Sequence, residues 1–184
     1  MARTMCPPWI GYLLLTPIRR FFHDPVKLLA PYVRPGMTVI EPGPGMGFFT
    51  LELARLVGTA GRVVVIDVQP KMLSVLGRRA ARAGLAGRID ARLAQPESMG
   101  LDDLAGAADF VLAFAMVHEM PDAGRFFAET AAALKPGGTM LLAEPNGHVD
   151  EARFARELAA AAAAGLTPVD RPTVRMSQAA VLRK

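Results

Sequence analysis

Short apolar runs alternate along this chain with stretches in which apolar residues recur every three or four positions. Met37-Thr38-Val39-Ile40 is an apolar, partly β-branched run that ends at a Gly/Pro loop. A helical stretch follows, with Phe48, Leu51, Ala54 and Leu56 roughly on one side. Gly61 marks a turn into Arg62-Val63-Val64-Val65-Ile66, whose near-continuous β-branching suits a strand buried on both faces of a parallel sheet. Lys71 to Leu85 is helical again, with Met72, Val75 and Leu76 inward. Phe110 to Phe114 is another buried strand, and Asp122 caps a helix carrying Phe126, Phe127, Thr130, Ala131 and Leu134 on one side. Gly137-Gly138 then turns into the strand Thr139 to Ala143.

Strand–helix repetition of this kind predicts an α/β fold: a doubly wound, mainly parallel sheet with helices on both faces. The tail departs from it. Leu166 to Arg175 and Ala179 to Leu182 are two strand-like runs separated only by Met176-Ser177-Gln178, too short a link for a parallel crossover, so the sheet should close with a C-terminal antiparallel hairpin. The Ala-rich run from Glu157 to Gly165 reads as a helix, capped by Asp150 and stopped by Gly165. Residues 1–32 differ in character, with Cys6-Pro7-Pro8-Trp9 stiff and aromatic and Pro17 to Tyr32 weakly helical. They read as an N-terminal helical lid, and residues 33–184 as one ligand-binding domain.

Composition narrows the picture only a little. A chain of 184 residues, 52% of them hydrophobic, can bury a sizeable single core. The net charge of +4 is mild and the basic residues are scattered, so no nucleic-acid surface is expected. A single cysteine, Cys6, forbids an intrachain disulfide and fits a cytoplasmic location; no Cys/His spacing suggests a metal site. The longest apolar run near the N-terminus, Trp9 to Leu15, is too short to span a bilayer.

The chemistry is concentrated at Glu41-Pro42-Gly43-Pro44-Gly45-Met46-Gly47, where an acid ends a strand and three glycines at every second position open a helix. Glycine permits positive φ and lets a ligand approach the backbone. The dinucleotide fingerprint wants glycines at positions one, three and six, but the sixth position from Gly43 is Phe48 and from Gly45 is Thr50. A second acid, Asp67, ends the next strand about 20 residues on, where a carboxylate can accept from ribose hydroxyls.

The pattern acid-x-Gly-x-Gly-x-Gly resembles the first motif of class I S-adenosylmethionine (SAM)-dependent methyltransferases. Gln69-Pro70-Lys71-Met72-Leu73, Asp109-Phe110-Val111-Leu112 and Leu134-Lys135-Pro136-Gly137-Gly138 also look like that family, and the resemblance runs from about Lys27 to the end of the chain. It implies the class I methyltransferase fold, SAM as cofactor, and a cofactor site made of Glu41, Gly43, Gly45, Gly47, Asp67, Val68, Met72, Ala94, Gln95 and Phe114. Gln95 stands where the family usually has an acid for the adenine amino group; its side-chain carbonyl can still accept, without charge.

Ligands of such sheets lie outside the carboxyl ends of the strands, which points to the segments Ala115 to Met120 and Glu144 to His148 for the methyl acceptor. His118 is the candidate general base, with Glu119 beside it; the bland alternative for both is a structural role. The absence of a large insertion favours a small-molecule acceptor, and the apolar N-terminal residues hint at a hydrophobic one. The alternative function is a non-catalytic SAM-binding or regulatory protein on the same fold. Oligomeric state is not legible.

Overall fold

A computed structural model describes residues 23–95 and 97–184. The lid expected from Trp9, Tyr12, Phe21 and Phe22 lies outside them. The chain divides into two compact units, Met1–Pro96 and Glu97–Lys184, taken in turn.

In the first unit a short helix α1 (Pro25–Leu29) starts where the Asp24 carboxylate accepts the N–H groups of Val26 and Lys27 at 3.0 and 3.3 Å. The strands are β1 (Thr38–Pro42), β2 (Arg62–Asp67) and β3 (Ile89–Leu93). β2 is flanked by the other two, parallel to both. That placement accounts for its β-branched run, buried from Val63 to Asp67. β3 is only partly buried and carries an Asp90–Arg92 ion pair at 2.8 Å, so its apolar pattern is too thin to announce a strand.

Two helices complete this unit, α2 (Thr50–Leu56) and α3 (Pro70–Arg82). The inward face of α3 is the expected one, Met72, Val75 and Leu76, with Ala80 added. α2 is rotated from expectation: its buried residues are Thr50, Leu53 and Ala54, while Leu51 and Leu56 are half-buried. The helix begins on Thr50, whose hydroxyl is satisfied internally and so occupies a core position that apolar periodicity assigns to other residues.

In the second unit β4 (Ala108–Phe114) pairs in parallel with β5 (Leu134–Pro145). β5 pairs antiparallel with β7 (Ser177–Arg183), and β7 antiparallel with β6 (Thr167–Asp170). The C-terminal hairpin is therefore present, with a link over 171–176 rather than the three residues expected. β6 stops early because its register slips between Pro168, which has no N–H for the ladder, and Asp170.

The unit's helices are α4 (Ala123–Ala133) and α5 (Glu151–Ala163), capped by Asp122 and Asp150 as the sequence suggests. Leu134, expected on α4, is instead the first residue of β5, since the chain leaves the helix at ψ 140° and extends. The ladder with β4 slips where Lys135-Pro136-Gly137-Gly138 bulges out, between the pairs Ala108–Leu134 and Phe110–Thr139. The described residues thus supply seven strands of a mixed, mainly parallel sheet with antiparallel C-terminal strands. No helix among them is long and apolar enough to cross a membrane.

Gly61 marks the tightest place in the first unit. A Cβ there would lie 2.6 Å from the Met37 carbonyl oxygen and 2.7 Å from both Val57 Cβ and its carbonyl oxygen. Gly77, on the exposed side of α3, would meet nothing within 4 Å. Urea unfolding should show Gly61→Ala losing about 1–3 kcal/mol through overpacking. Gly77→Ala should gain about 0.5–1 kcal/mol from the lower entropy of the unfolded chain.

Candidate functional site

The three loop glycines all have positive φ, 65°, 54° and 83° for Gly43, Gly45 and Gly47, but they do different things. The N–H of Gly43 donates to the Ile66 carbonyl at 2.8 Å, tying the loop to β2. Gly47 donates to Pro44 at 3.0 Å, and a Cβ on it would press to 3.0 Å from Leu76 Cγ, so its job is to let α3 come close. At Gly45, unlike Gly47, a Cβ would meet no atom within 4 Å.

Two buried carboxylates frame the loop. Glu41, 3% exposed at the end of β1, accepts from the Thr50 hydroxyl at 2.5 Å. Asp67, 8% exposed at the end of β2, accepts the Gln69 N–H at 2.8 Å and so helps α3 start. The Ala94 N–H donates to the Asp67 carbonyl at 3.0 Å, which brings the segment holding Gln95 alongside; Gln95 itself is exposed. Val68 and Leu93, both about half exposed, stand on either side of this acid, Leu93 opposite it in the ladder. Met72 is placed differently from a contact residue: it is buried with Met46 and Val75 and forms the floor beneath the loop. Arg79, from the far end of α3, donates to the Met46 carbonyl, and burial pulls its guanidinium below the ordinary pKa.

Open space over Gly45, an acid positioned for a diol, and exposed aliphatic side chains beside that acid suit a nucleoside carrying an amino-acid tail. SAM is such a molecule, and the residues present fit it.

In the second unit Phe114 ends β4, and Ala115 turns the chain with a φ of 56° that only a strongly constrained non-glycine residue keeps. Past the turn His118 and Glu119 lie on a single 3₁₀ turn, Val117–Glu119. Glu144 of β5 is fully buried and organises this segment. One of its oxygens accepts the N–H groups of Met116 and Val117 at 3.1 and 2.8 Å; the other meets His118 Nδ1. This partnership raises the His118 pKa, overcoming the opposing effect of burial. Glu119 Oε1 is 4.0 Å from His118 Nε2, and burial raises the Glu119 carboxyl as well. The His148 ring packs edge-on to His118 at 5.3 Å between centroids.

Helix α5 contributes two residues that the sequence did not single out. Arg153 donates to the His118 carbonyl at 2.6 Å and lies 3.7 Å from Glu157. Glu157 is 6% exposed, and its Oε2 is one of two buried side-chain oxygens lacking a hydrogen-bond partner among the described residues. Desolvation, aided by Glu144, pushes its pKa up to about 7. The Arg153–Glu157 spacing of four on a helical run was the available signal, hidden by the alanines around it.

Residues 40–142, more than half of the chain, match the sequence family described as a methyltransferase domain. The chain belongs to that family. It is 34% identical to the ribosomal protein L11 methyltransferase of Pelotomaculum thermopropionicum over 146 residues, covering 79% of this chain and 43% of that protein. Over 119 residues it is 29% identical to the ubiquinone/menaquinone biosynthesis C-methyltransferase UbiE of Brucella anthropi, covering 65% of this chain and 44% of that protein. The methyltransferase domain thus spans less than half the length of these curated relatives. A SAM-dependent methyltransferase from Aquifex aeolicus has the same fold, with a TM-score of 0.84 over 97% of this chain and 99% of that one, at 22% identity. The fold of this domain is that of the class I SAM-dependent methyltransferases.

Glu157 gives the second unit a pH dependence of known sign. Its carboxyl holds a proton in the folded chain up to about pH 7 and in the unfolded chain only to the ordinary 4.5, so stability falls as pH rises through that window. Glu157→Gln should melt with wild type at pH 4.5. At pH 8 it should melt higher, by roughly 2–4 °C for each kcal/mol relieved. Equal melting temperatures at pH 8 would mean that Arg153 already offsets the burial.

Proposed function

We propose that this domain transfers a methyl group from SAM to a small-molecule acceptor, with cofactor contacts at Glu41, Gly43, Gly45, Asp67, Val68, Ala94, Gln95 and Phe114. Gly47 and Met72 serve by packing the loop onto α3. His118 and Glu119 are the acceptor-side residues. Bound SAM supplies a sulfonium methyl already activated for in-line attack, so the protein's part is to bind, orient and exclude water.

The observation that carries this reading is the division of labour in the glycine loop. Gly43 and Gly47 spend their N–H groups on the protein, whereas the space at Gly45 is open. The left-handed backbone at Gly45 favours glycine by itself, and the open space beside it leaves the backbone accessible to a ligand. Asp67 gives the second grip, because a buried carboxylate at the end of β2 can accept from both ribose hydroxyls at once. The compact connections after β4 and β5, over 115–122 and 146–150, support a small acceptor. A hydrophobic acceptor fits the exposed Val68 and Leu93 no better than the adenine does.

Calorimetry with SAM and S-adenosylhomocysteine tests the cofactor side. Asp67→Ala should weaken both by about 1.5–3 kcal/mol, the range for a lost charged hydrogen bond, since both ligands carry the same ribose. Gly45→Ala should weaken both as well, by at least tenfold, while the protein still melts cooperatively. Undiminished affinity in either variant would remove that residue from the site. Tight SAM binding by the wild type, with no methyl transfer to a broad acceptor panel, would favour a SAM-binding regulator instead.

A further inference from the structure

The mild net charge of the chain conceals a division. Residues 23–95 hold ten Lys and Arg against five Asp and Glu, and residues 97–184 hold eight against twelve. The five acids of the first unit are all engaged: Glu41 and Asp67 are buried, Asp24 caps α1, and Glu52 and Asp90 pair with Arg55 and Arg92. Its surplus cations gather on α3, although they look scattered along the chain. Lys71, Ser74, Gly77, Arg78, Ala81 and Arg82 are exposed and, at spacings of three and four, share the outer face of that helix. Among the described residues no carboxylate pairs with Lys71, Arg78 or Arg82. Arg78 donates to the Ser74 hydroxyl at 2.8 Å, which holds its guanidinium on the face.

Solvated helices ordinarily mix the signs, and α2, α4 and α5 do. Each sets a cation one turn from a carboxylate: Arg55 and Glu52, Arg125 and Glu129, Arg153 and Glu157. Helix α3 has no acid in its thirteen residues. Lys71 stands in its first turn, where the helix dipole opposes a cation, and Arg78 and Arg82 are like charges four apart. The dipole favours Arg82 near the far end but accounts for neither of the others. An anion from outside would offset all three.

From this face we infer that α3 docks the phosphate backbone of a nucleic-acid duplex. The three cations reach along about 17 Å of helix, at 1.5 Å per residue, and a duplex offers them one negative charge per about 1.7 Å of its axis. The guanidinium fork matches phosphate oxygens, and Gly77 and Ala81 between the cations let a phosphate strand lie close to the helix. No aromatic or large aliphatic side chain is exposed on α3. The face therefore has neither the stacking platform of a single-strand binder nor the apolar anchor of a helix that lies in a membrane surface. Contacts to phosphate carry no base sequence, so the docking is non-specific. The inference stands apart from the methyl-transfer reading and does not make the duplex the methyl acceptor.

Fluorescence anisotropy of a labelled DNA duplex of about 20 base pairs, titrated with the full chain at several salt concentrations, tests this. Three phosphate contacts give a slope of log affinity against log salt of about −2.7, a loss of about 40-fold between 50 and 200 mM. In Arg78→Gln/Arg82→Gln the slope should flatten to about −0.9, and affinity at 50 mM salt should fall at least tenfold. Lys71→Gln alone should flatten it by about 0.9. Lys27→Gln/Arg55→Gln removes the same charge from α1 and α2 and serves as the control, expected to keep the slope. All three variants change exposed positions and should melt cooperatively, near the wild type. Equal losses in the control would make the attraction diffuse and overturn the site, as would a slope unchanged in Arg78→Gln/Arg82→Gln. Salt-sensitive binding to phosphatidylserine vesicles with none to the duplex would assign the face to a membrane and overturn the duplex. A dimer seen by sedimentation at low salt and lost in Arg78→Gln/Arg82→Gln, again without duplex binding, would assign it to a second copy of the chain and overturn it too.

Discussion

Strands that bring chemistry to this domain end in buried acids, and every one of those acids has to be partnered. A carboxylate taken out of water without hydrogen-bond donors costs several kcal/mol, so the chain around it is bent to supply them. At Glu41 the donor is the Thr50 hydroxyl, and the need for it fixes where α2 begins. At Asp67 it is the Gln69 N–H, and the same bond starts α3. At Glu144 the donors are two backbone N–H groups and an imidazole, which requires the left-handed turn at Ala115. The loops that follow β1, β2 and β4 are shaped first by electrostatic necessity, and their usefulness to ligands follows from that shaping.

This also explains what was legible in the sequence. The valine run of β2, the aspartates capping α4 and α5, and the glycine before β6 each act locally, and each was read with its correct role. The glycine loop and Asp67 stood out because their spacing departs from the dinucleotide fingerprint. Where the reading slipped, a polar group held a core position or a backbone irregularity broke the period. Thr50 took an inward place on α2 that periodicity gave to leucines. Leu134 left its helix one residue early, and β3 was too thinly apolar to stand out. Glu144 was noticed only as a residue near a loop, because its three partners come from a segment 26–28 residues earlier. The involvement of Arg153 and Glu157 depends on how α5 packs, which no local pattern carries.

The similarity to known proteins and the geometry bear on different questions. Family membership and fold establish a methyltransferase domain. They leave the acceptor open, because the relatives named above modify a ribosomal protein in one case and belong to quinone biosynthesis in another.

Helix α3 touches the glycine loop at both its ends: Met72 lies under the loop near the start, and Arg79 grasps the Met46 carbonyl two turns later. Loop and helix therefore open together or not at all. Amide exchange in the loop should be governed by the unfolding of α3 rather than by local breathing, and the ligand meets a surface whose conformational entropy has already been lost in folding. Exposed residues along α3, far from any ligand atom, acquire in this way an influence on cofactor affinity that a map of contacts would not show.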